Sequence, residues 1–112
     1  MKTETSLNHE TPPIANVRLA DGASNSSHRL KTINPYFRAV WAGEKTFEMR
    51  KNDRMFICGD EIYLREYDAE NDTYSGREVR AEITYILRNF GELKDFVIFS
   101  FKITQMIERG VS

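Results

Sequence analysis

From His28 onwards the chain alternates between two kinds of pattern, and each predicts an element. "HRLKTI", residues 28–33, is a short strand. "NPYFRAVWAGEK" follows as one short helix, with Asn34 as its N-cap and Pro35 at the first helical position, where a missing N–H costs nothing. Phe37, Val40 and Trp41 fall at i, i+3 and i+4 and form one buried face. Gly43 supplies the left-handed stop. "KTFEMRK" then alternates with period two, Phe47 and Met49 on one face and Thr46, Glu48 and Arg50 on the other. "NDRMFICGD" is a loop with turn signals at Asn52-Asp53 and Gly59-Asp60.

The second half reads as strands. "EIYLREY" places Ile62, Leu64 and Glu66 on one face and Tyr63, Arg65 and Tyr67 on the other. "DAENDTYSG" is a polar hairpin connection. "REVRAEITYIL" puts Val79, Ala81, Ile83, Tyr85 and Leu87 on one face, and "RNFGELKD" is a loop or single helical turn. "FVIFSFKI" is the most apolar run and reads as a central strand, which "TQMIERG" extends or closes with a turn. Five strands and one early helix make an α+β fold dominated by antiparallel strands. With so small a core, closing the sheet into a barrel removes exposed edges, and the helix plugs one end.

Residues 1–27 differ in kind. They are rich in Ser, Thr, Asn and Pro, contain no Phe, Trp or Tyr, and keep no sustained apolar period. They read as a flexible tail, with "IANVRLA" as the one segment able to add a strand. The domain therefore spans 28–112, enough for one modest core.

The chain has 112 residues, 40% hydrophobic and 29% charged, the composition of one soluble globular domain. Its formal charge of −1 gives no global pull towards nucleic acid or an anionic membrane, so any basic surface must be local. Taking Lys2 and Arg18 from the sixteen basic residues, and Glu4, Glu10 and Asp21 from the seventeen acidic ones, leaves the domain with fourteen of each. No run of eighteen apolar residues predicts a membrane span, and "MKTETSLNHETPP" lacks the apolar stretch of a secretory signal. The expected location is cytoplasmic. The one cysteine, Cys58, cannot form an intrachain disulfide and reads as a packed, strand-flanking residue. His28 has no partner at ligand spacing, so neither a metal nor another cofactor is expected. "REYDAENDTYSG" lacks the Gly and Glu of a calcium loop, and no Walker, GxSxG or GxGxxG motif is present.

The densest candidate chemistry lies in "GEKTFEMRKNDR". Strand parity sends Glu48 and Arg50 to one side, close enough to pair, and together they offer acceptors and a planar fork of donors suited to a nucleobase. Lys45 sits at the helix–strand junction, where parity does not fix its direction; desolvated, it would be a base or nucleophile. Lys51, Asn52 and Arg54 are placed to grip phosphates. The competing reading is an ordinary solvated strand and turn. Tyr63, Tyr67, Tyr74 and Tyr85 are a possible base-stacking platform, although cross-strand packing explains them as well.

"GEKTFEMR" has the form G-x-K-x-x-E-x-R and resembles the signature of ASCH domains, members of the PUA-like superfamily. The similarity extends over about residues 28–103, through "GDEIYLREY" and "TYSGREVRAEITYIL", and is to a phage- and bacteria-associated ASCH-like group of largely unknown function. It implies a small PUA-like antiparallel β-barrel with a cleft beside the first helix, lined or shaped by Gly43, Lys45, Glu48 and Arg50. It further implies an RNA or modified-nucleoside ligand. One ASCH branch deacetylates N4-acetylcytidine with a Lys, a Thr and a Glu. Lys45 matches that Lys, but Glu48 stands at the Thr position. Thr46 is two residues away, and Glu66 and Glu82 are the candidates for the later Glu.

Three functions follow. The first is an RNA- or nucleotide-binding module whose ligand-binding residues are Lys45, Glu48, Arg50, Lys51, Asn52 and Arg54. The second is an amidohydrolase or nuclease acting on a modified nucleoside or RNA, with Lys45 and Glu48 catalytic. The third is a phage-encoded factor that binds a protein partner.

Overall fold

The computed structural model describes residues 25–109. Five strands form one sheet: β1 (Ser27–Thr32), β2 (Phe47–Lys51), β3 (Glu61–Asp68), β4 (Thr73–Leu87) and β5 (Phe96–Glu108). One helix, α1 (Tyr36–Trp41), lies between β1 and β2, and a single 3-10 turn, Gly91–Leu93, precedes β5. The strand order is β1-β3-β4-β5-β2. The sheet curls into a half-barrel, giving a small β-barrel-like fold with one short helix.

Two features depart from an all-antiparallel barrel. β1 runs parallel to β3, with Leu30 opposite Leu64, while the other three pairings are antiparallel. A parallel pair needs a crossover, and the chain makes one by sending α1 and β2 across the molecule before it returns as β3. The barrel is also not closed by a ladder. β1 and β2 are the two edges of the sheet, and a side-chain hydrogen bond from Arg50 Nη2 to Thr32 Oγ1 at 3.2 Å spans them.

The core fills the hollow of the curl. Leu30 from β1, Ile62 and Leu64 from β3, Val79, Ala81 and Ile83 from β4, and Val97, Phe99 and Phe101 from β5 face inward. Phe37 and Val40 enter from α1, and Phe56 from the β2–β3 loop packs against Phe99 with ring centroids 5.0 Å apart. Tyr85 and Leu87 do not continue the inward face of β4. The pairing with β5 slips between Ile83 and Tyr85, so the parity reverses: Ile86 is buried and Tyr85 is exposed. One extra residue in a strand has this effect on every side chain beyond it.

The helix is shorter than "NPYFRAVWAGEK" predicts. Pro35 is its cap rather than its first residue, and the Asn34–Pro35 peptide is cis. Asn34, expected as the cap, stands one residue ahead of it, and its Oδ1 accepts the Arg38 N–H at 3.0 Å. Gly43 adopts φ +80°, the left-handed stop that its sequence position implies. Around it the Glu44 and Lys45 N–H groups both donate to the Ala39 carbonyl, at 2.9 and 3.1 Å, turning the chain into β2. Cys58 is buried and its thiol donates to the Thr84 carbonyl.

The tail expected over residues 1–27, with "IANVRLA", lies outside the described residues except for its last three. Asn25 and Ser26 hydrogen-bond Asp60, and Ser27 starts β1. Among the described residues no helix is long and apolar enough to cross a membrane.

Candidate functional site

β2 turns its faces the opposite way from the simplest expectation. The apolar face of Phe47 and Met49 does not turn to the core: they are 50% and 47% exposed, while Glu48 between them is 4% exposed. Pairing with β5 sets this orientation, because Glu48 stands opposite inward-facing Phe99. A carboxylate is expensive to bury unless it is paired. Glu48 is paired on both oxygens: Lys45 Nζ lies 2.6 Å from Oε2, and Arg50 Nε lies 2.9 Å from Oε1. The turn after Gly43 aims Lys45 at Glu48, which settles the direction that strand parity leaves open. Lys45 also donates to the Phe47 carbonyl at 2.6 Å.

Above this network, in the gap between β1 and β2, lies a cleft of about 600 Å³. Its polar floor is Lys45, Glu48, Arg50 and Thr32; Ile33, Tyr36, Phe47, Met49 and Phe96 form apolar walls, and Lys31 stands at the rim. Three cations against one carboxylate leave two net positive charges at the cleft. Ile33 and Tyr36 are, like Phe47 and Met49, largely exposed. Four sizeable apolar side chains thus surround a charged floor instead of joining the core, which is the composition of a ligand site: mostly apolar, with a few convergent polar groups.

The other expected phosphate grips lie elsewhere. Lys51 and Asn52 border a shallow surface hollow with Asp53, Lys94 and Asp95. Arg54 reaches towards Asp53 at 3.5 Å and lies over the Phe56 ring, and with Arg50 and Lys51 it lines a smaller hollow of about 130 Å³. These residues therefore sit beside the cleft, not in its wall. Thr46 is exposed outside the cleft lining, and its carbonyl accepts the Phe101 N–H. Glu82 borders a different hollow, with Asn25 and Gly59. Glu66 lies across Ile33 in a hollow of its own, so among the described residues Glu48 is the carboxylate of the cleft. Among the described residues there is also no group of three His, Cys, Asp or Glu side chains gathered as metal ligands would be.

Two polar networks escape the sequence reading. Glu66 accepts both forks of Arg77, at 2.9 and 3.1 Å, together with Ser75 Oγ at 2.6 Å and Asn34 Nδ2 at 2.7 Å. The Arg77 guanidinium, aided by Ser75 and Asn34 and opposed by burial, holds the Glu66 carboxyl at about 2, against an ordinary 4.5. Arg77 in turn lies over Trp41 and Phe37, with centroid distances of 4.9 and 5.6 Å, and so clamps α1 to the sheet. The second network centres on Asp60, which accepts from His28 Nε2 at 2.8 Å and from the Ser26 and Ile57 N–H groups. It joins β1 to the β2–β3 loop. Sequence spacing gives His28 no partner; the parallel pairing of β1 with β3 supplies one.

Comparison with known proteins places the chain in a family. Residues 27–101 match the model described as "Domain of unknown function (DUF3850)", and the protein belongs to that family. It is also 35% identical over 71 residues to the "Uncharacterized 12.9 kDa protein in GpA 3'region" of Escherichia phage P2. That match covers 63% of this chain and 63% of the phage protein, so the chain spans under two thirds of its relative's length.

Proposed function

We propose that this domain is a nucleotide- or RNA-binding module of the ASCH, PUA-like kind, and that the cleft between β1 and β2 receives a nucleobase. The observation that carries this reading is the buried Glu48, held by Lys45 and Arg50 beneath walls of exposed apolar side chains. A carboxylate and a guanidinium side by side present acceptor and donor groups to the edge of a planar heterocycle. Tyr36, Phe47 and Phe96 supply rings for its faces, and a volume of about 600 Å³ suits a nucleoside. Lys31 at the rim, with Lys51 and Arg54 beyond, is placed to meet a phosphate.

Titration of nucleoside monophosphates and short RNAs into labelled protein tests this by amide chemical shifts. Shifts centred on Tyr36, Phe47 and Arg50, with affinity falling at least tenfold in Arg50→Ala (a loss of about 1.4 kcal/mol), are expected. Shifts absent from the cleft at millimolar ligand, or binding unaffected by Arg50→Ala, would sink the proposal.

A second reading, amidohydrolysis of an N4-acylated cytidine, is favoured by the 2.6 Å contact between Lys45 Nζ and Glu48 Oε2. That distance is within the reach of proton transfer between an amine and a carboxylate. In this reading Lys45 and Glu48 are the catalytic pair, and the threonine hydroxyl of the cleft is that of Thr32, bound to Arg50, not Thr46. Incubation with N4-acetylcytidine would release cytidine, and Lys45→Ala would abolish the release. No cytidine at high protein concentration would leave binding as the function.

A further inference from the structure

The face of the sheet turned away from the core has a composition of its own. Strand parity places Arg29 and Lys31 of β1, Tyr63, Arg65 and Tyr67 of β3, and Glu78 and Arg80 of β4 on this outer side. Cross-strand register brings the cations onto the rings. Arg29 and Arg80 lie 5.4 and 4.5 Å from the Tyr63 centroid, Arg65 lies 4.1 Å from that of Tyr74, and Lys31 Nζ lies 4.5 Å from that of Tyr67. Tyr67 and Tyr74 are themselves in contact, 5.1 Å apart. Glu78 is only 5% exposed, submerged beneath Arg80 at 2.7 Å, Arg109 at 3.6 Å and Arg65 at 3.8 Å. Three of the face's five cations, Arg65, Arg80 and Arg109, thus stand over this covered carboxylate, while Arg29 and Lys31 cover tyrosine rings, on a chain whose formal charge is −1. Glu61 at one end, and Asp68 and Asp72 at the hairpin end, bound the patch.

We propose that this outer face is a track for the backbone of a single-stranded nucleic acid and that it continues the cleft, so that the ligand is a strand and not a free nucleoside. Charge complementarity selects a polyanion. The interleaved tyrosines select one whose units carry flat rings, because each base can stack where a guanidinium moves from a ring to a phosphate. Continuity comes from Lys31, which lines the rim of the cleft and also covers Tyr67 on the outer face. A strand with one base in the cleft would cross the β1 edge at Lys31 and run past Arg65 and Tyr74. The eight residues of β3 extend about 26 Å, which accommodates on the order of four nucleotides. The junction of face and cleft rests on the nucleotide-binding reading of the cleft; the track itself does not.

The test is fluorescence anisotropy of the full chain with a mixed-sequence single strand of about twelve nucleotides, at several salt concentrations. The variant is Arg29→Gln/Arg65→Gln, neither residue lining the cleft. Wild type should bind the strand more tightly than a nucleoside monophosphate. The double variant should bind the strand about tenfold more weakly and reduce its log–log salt slope by about 1.4, since each phosphate contact on a single strand contributes roughly 0.7. Arg29→Lys/Arg65→Lys should restore the slope, which separates lost charge from a misfolded face. Chemical shifts of the cleft residues with the monophosphate should be the same in wild type and double variant. Strand binding that depends on Arg29 and Arg65 while no monophosphate binds would support the track and overturn the cleft reading. A strand bound no better than a monophosphate, a double variant equal to wild type, or equally tight binding of polyglutamate would overturn the track.

Discussion

Two buried glutamates, Glu48 and Glu66, sit in matching polar environments and do different work. Each has both oxygens occupied by cationic or neutral donors, and each is less than 10% exposed. The difference lies in where the partners come from. Glu66 gathers Asn34 from the turn before α1 and Ser75 and Arg77 from β4, nine or more positions away in sequence, and its partners hold the helix to the sheet. Glu48 takes Lys45 and Arg50 from three residues before and two after, and neither contact ties β2 to another element. Only the onward bond from Arg50 to Thr32 does so. A carboxylate fastened by distant elements is a structural joint. One supported by sequence neighbours, at the floor of an open cleft, fastens no distant elements to each other.

The largest expected effect tests that contrast on stability. Glu66→Gln should lower the free energy of unfolding by about 3 kcal/mol, because it leaves a clamped Arg77 without its countercharge. Glu48→Gln should cost about 1 kcal/mol, with cleft binding falling at least tenfold. Urea melts with unchanged m values decide between them, and equal losses would make Glu48 a joint as well.

The next effect is acid sensitivity. The Glu66 carboxyl is lower in the folded state than in the unfolded chain, so its contribution is complete above pH 4.5 and is lost as the pH falls towards 2. After allowance for solvent screening the loss is on the order of 2 kcal/mol. Glu66→Gln should flatten the stability profile across that window, and a profile unchanged by the substitution would refute the assignment.

The smallest effect distinguishes cleft walls from core. Phe47→Ser and Met49→Ser should each change stability by no more than about 0.5 kcal/mol, because both side chains stand half in solvent. A buried aromatic such as Phe99 would cost several kcal/mol if cut to Ala. Both wall substitutions should weaken nucleotide binding several-fold in the same titration that tests Arg50.

The same contrast explains what could be read from the chain alone. Lys45, Glu48 and Arg50 lie within six residues, so strand parity and one helix stop bring them together on paper. The burial of Phe37 and Val40, the stop at Gly43 and the inward run Ile62-Leu64-Glu66 follow from periodicity in the same way. Parity, however, identifies two faces without saying which is inside, and Phe47 and Met49 show it: pairing with β5 turns Glu48 inward and leaves both apolar side chains exposed. Tyr85 was unreadable for another reason, since the slip after Ile83 leaves no local mark. The clamp of Asn34, Ser75 and Arg77 on Glu66, and the pairing of His28 with Asp60, depend on register between elements, which no spacing encodes. The β1 side of the cleft fails on the same ground: Thr32 and Ile33 meet β2 only because the sheet curls.

That curl also bears on how the sheet's edges meet other strands. A sheet edge is a row of unused backbone donors and acceptors, ready to recruit any passing strand. Here the two edges, β1 and β2, are turned towards one another, with Arg50 and Thr32 reaching across the gap and Lys31 and Lys51 flanking it. An incoming strand would have to displace that bridge and bring its backbone among several positive charges. The gap that forms the cleft is thereby also the guard that discourages aggregation along the sheet.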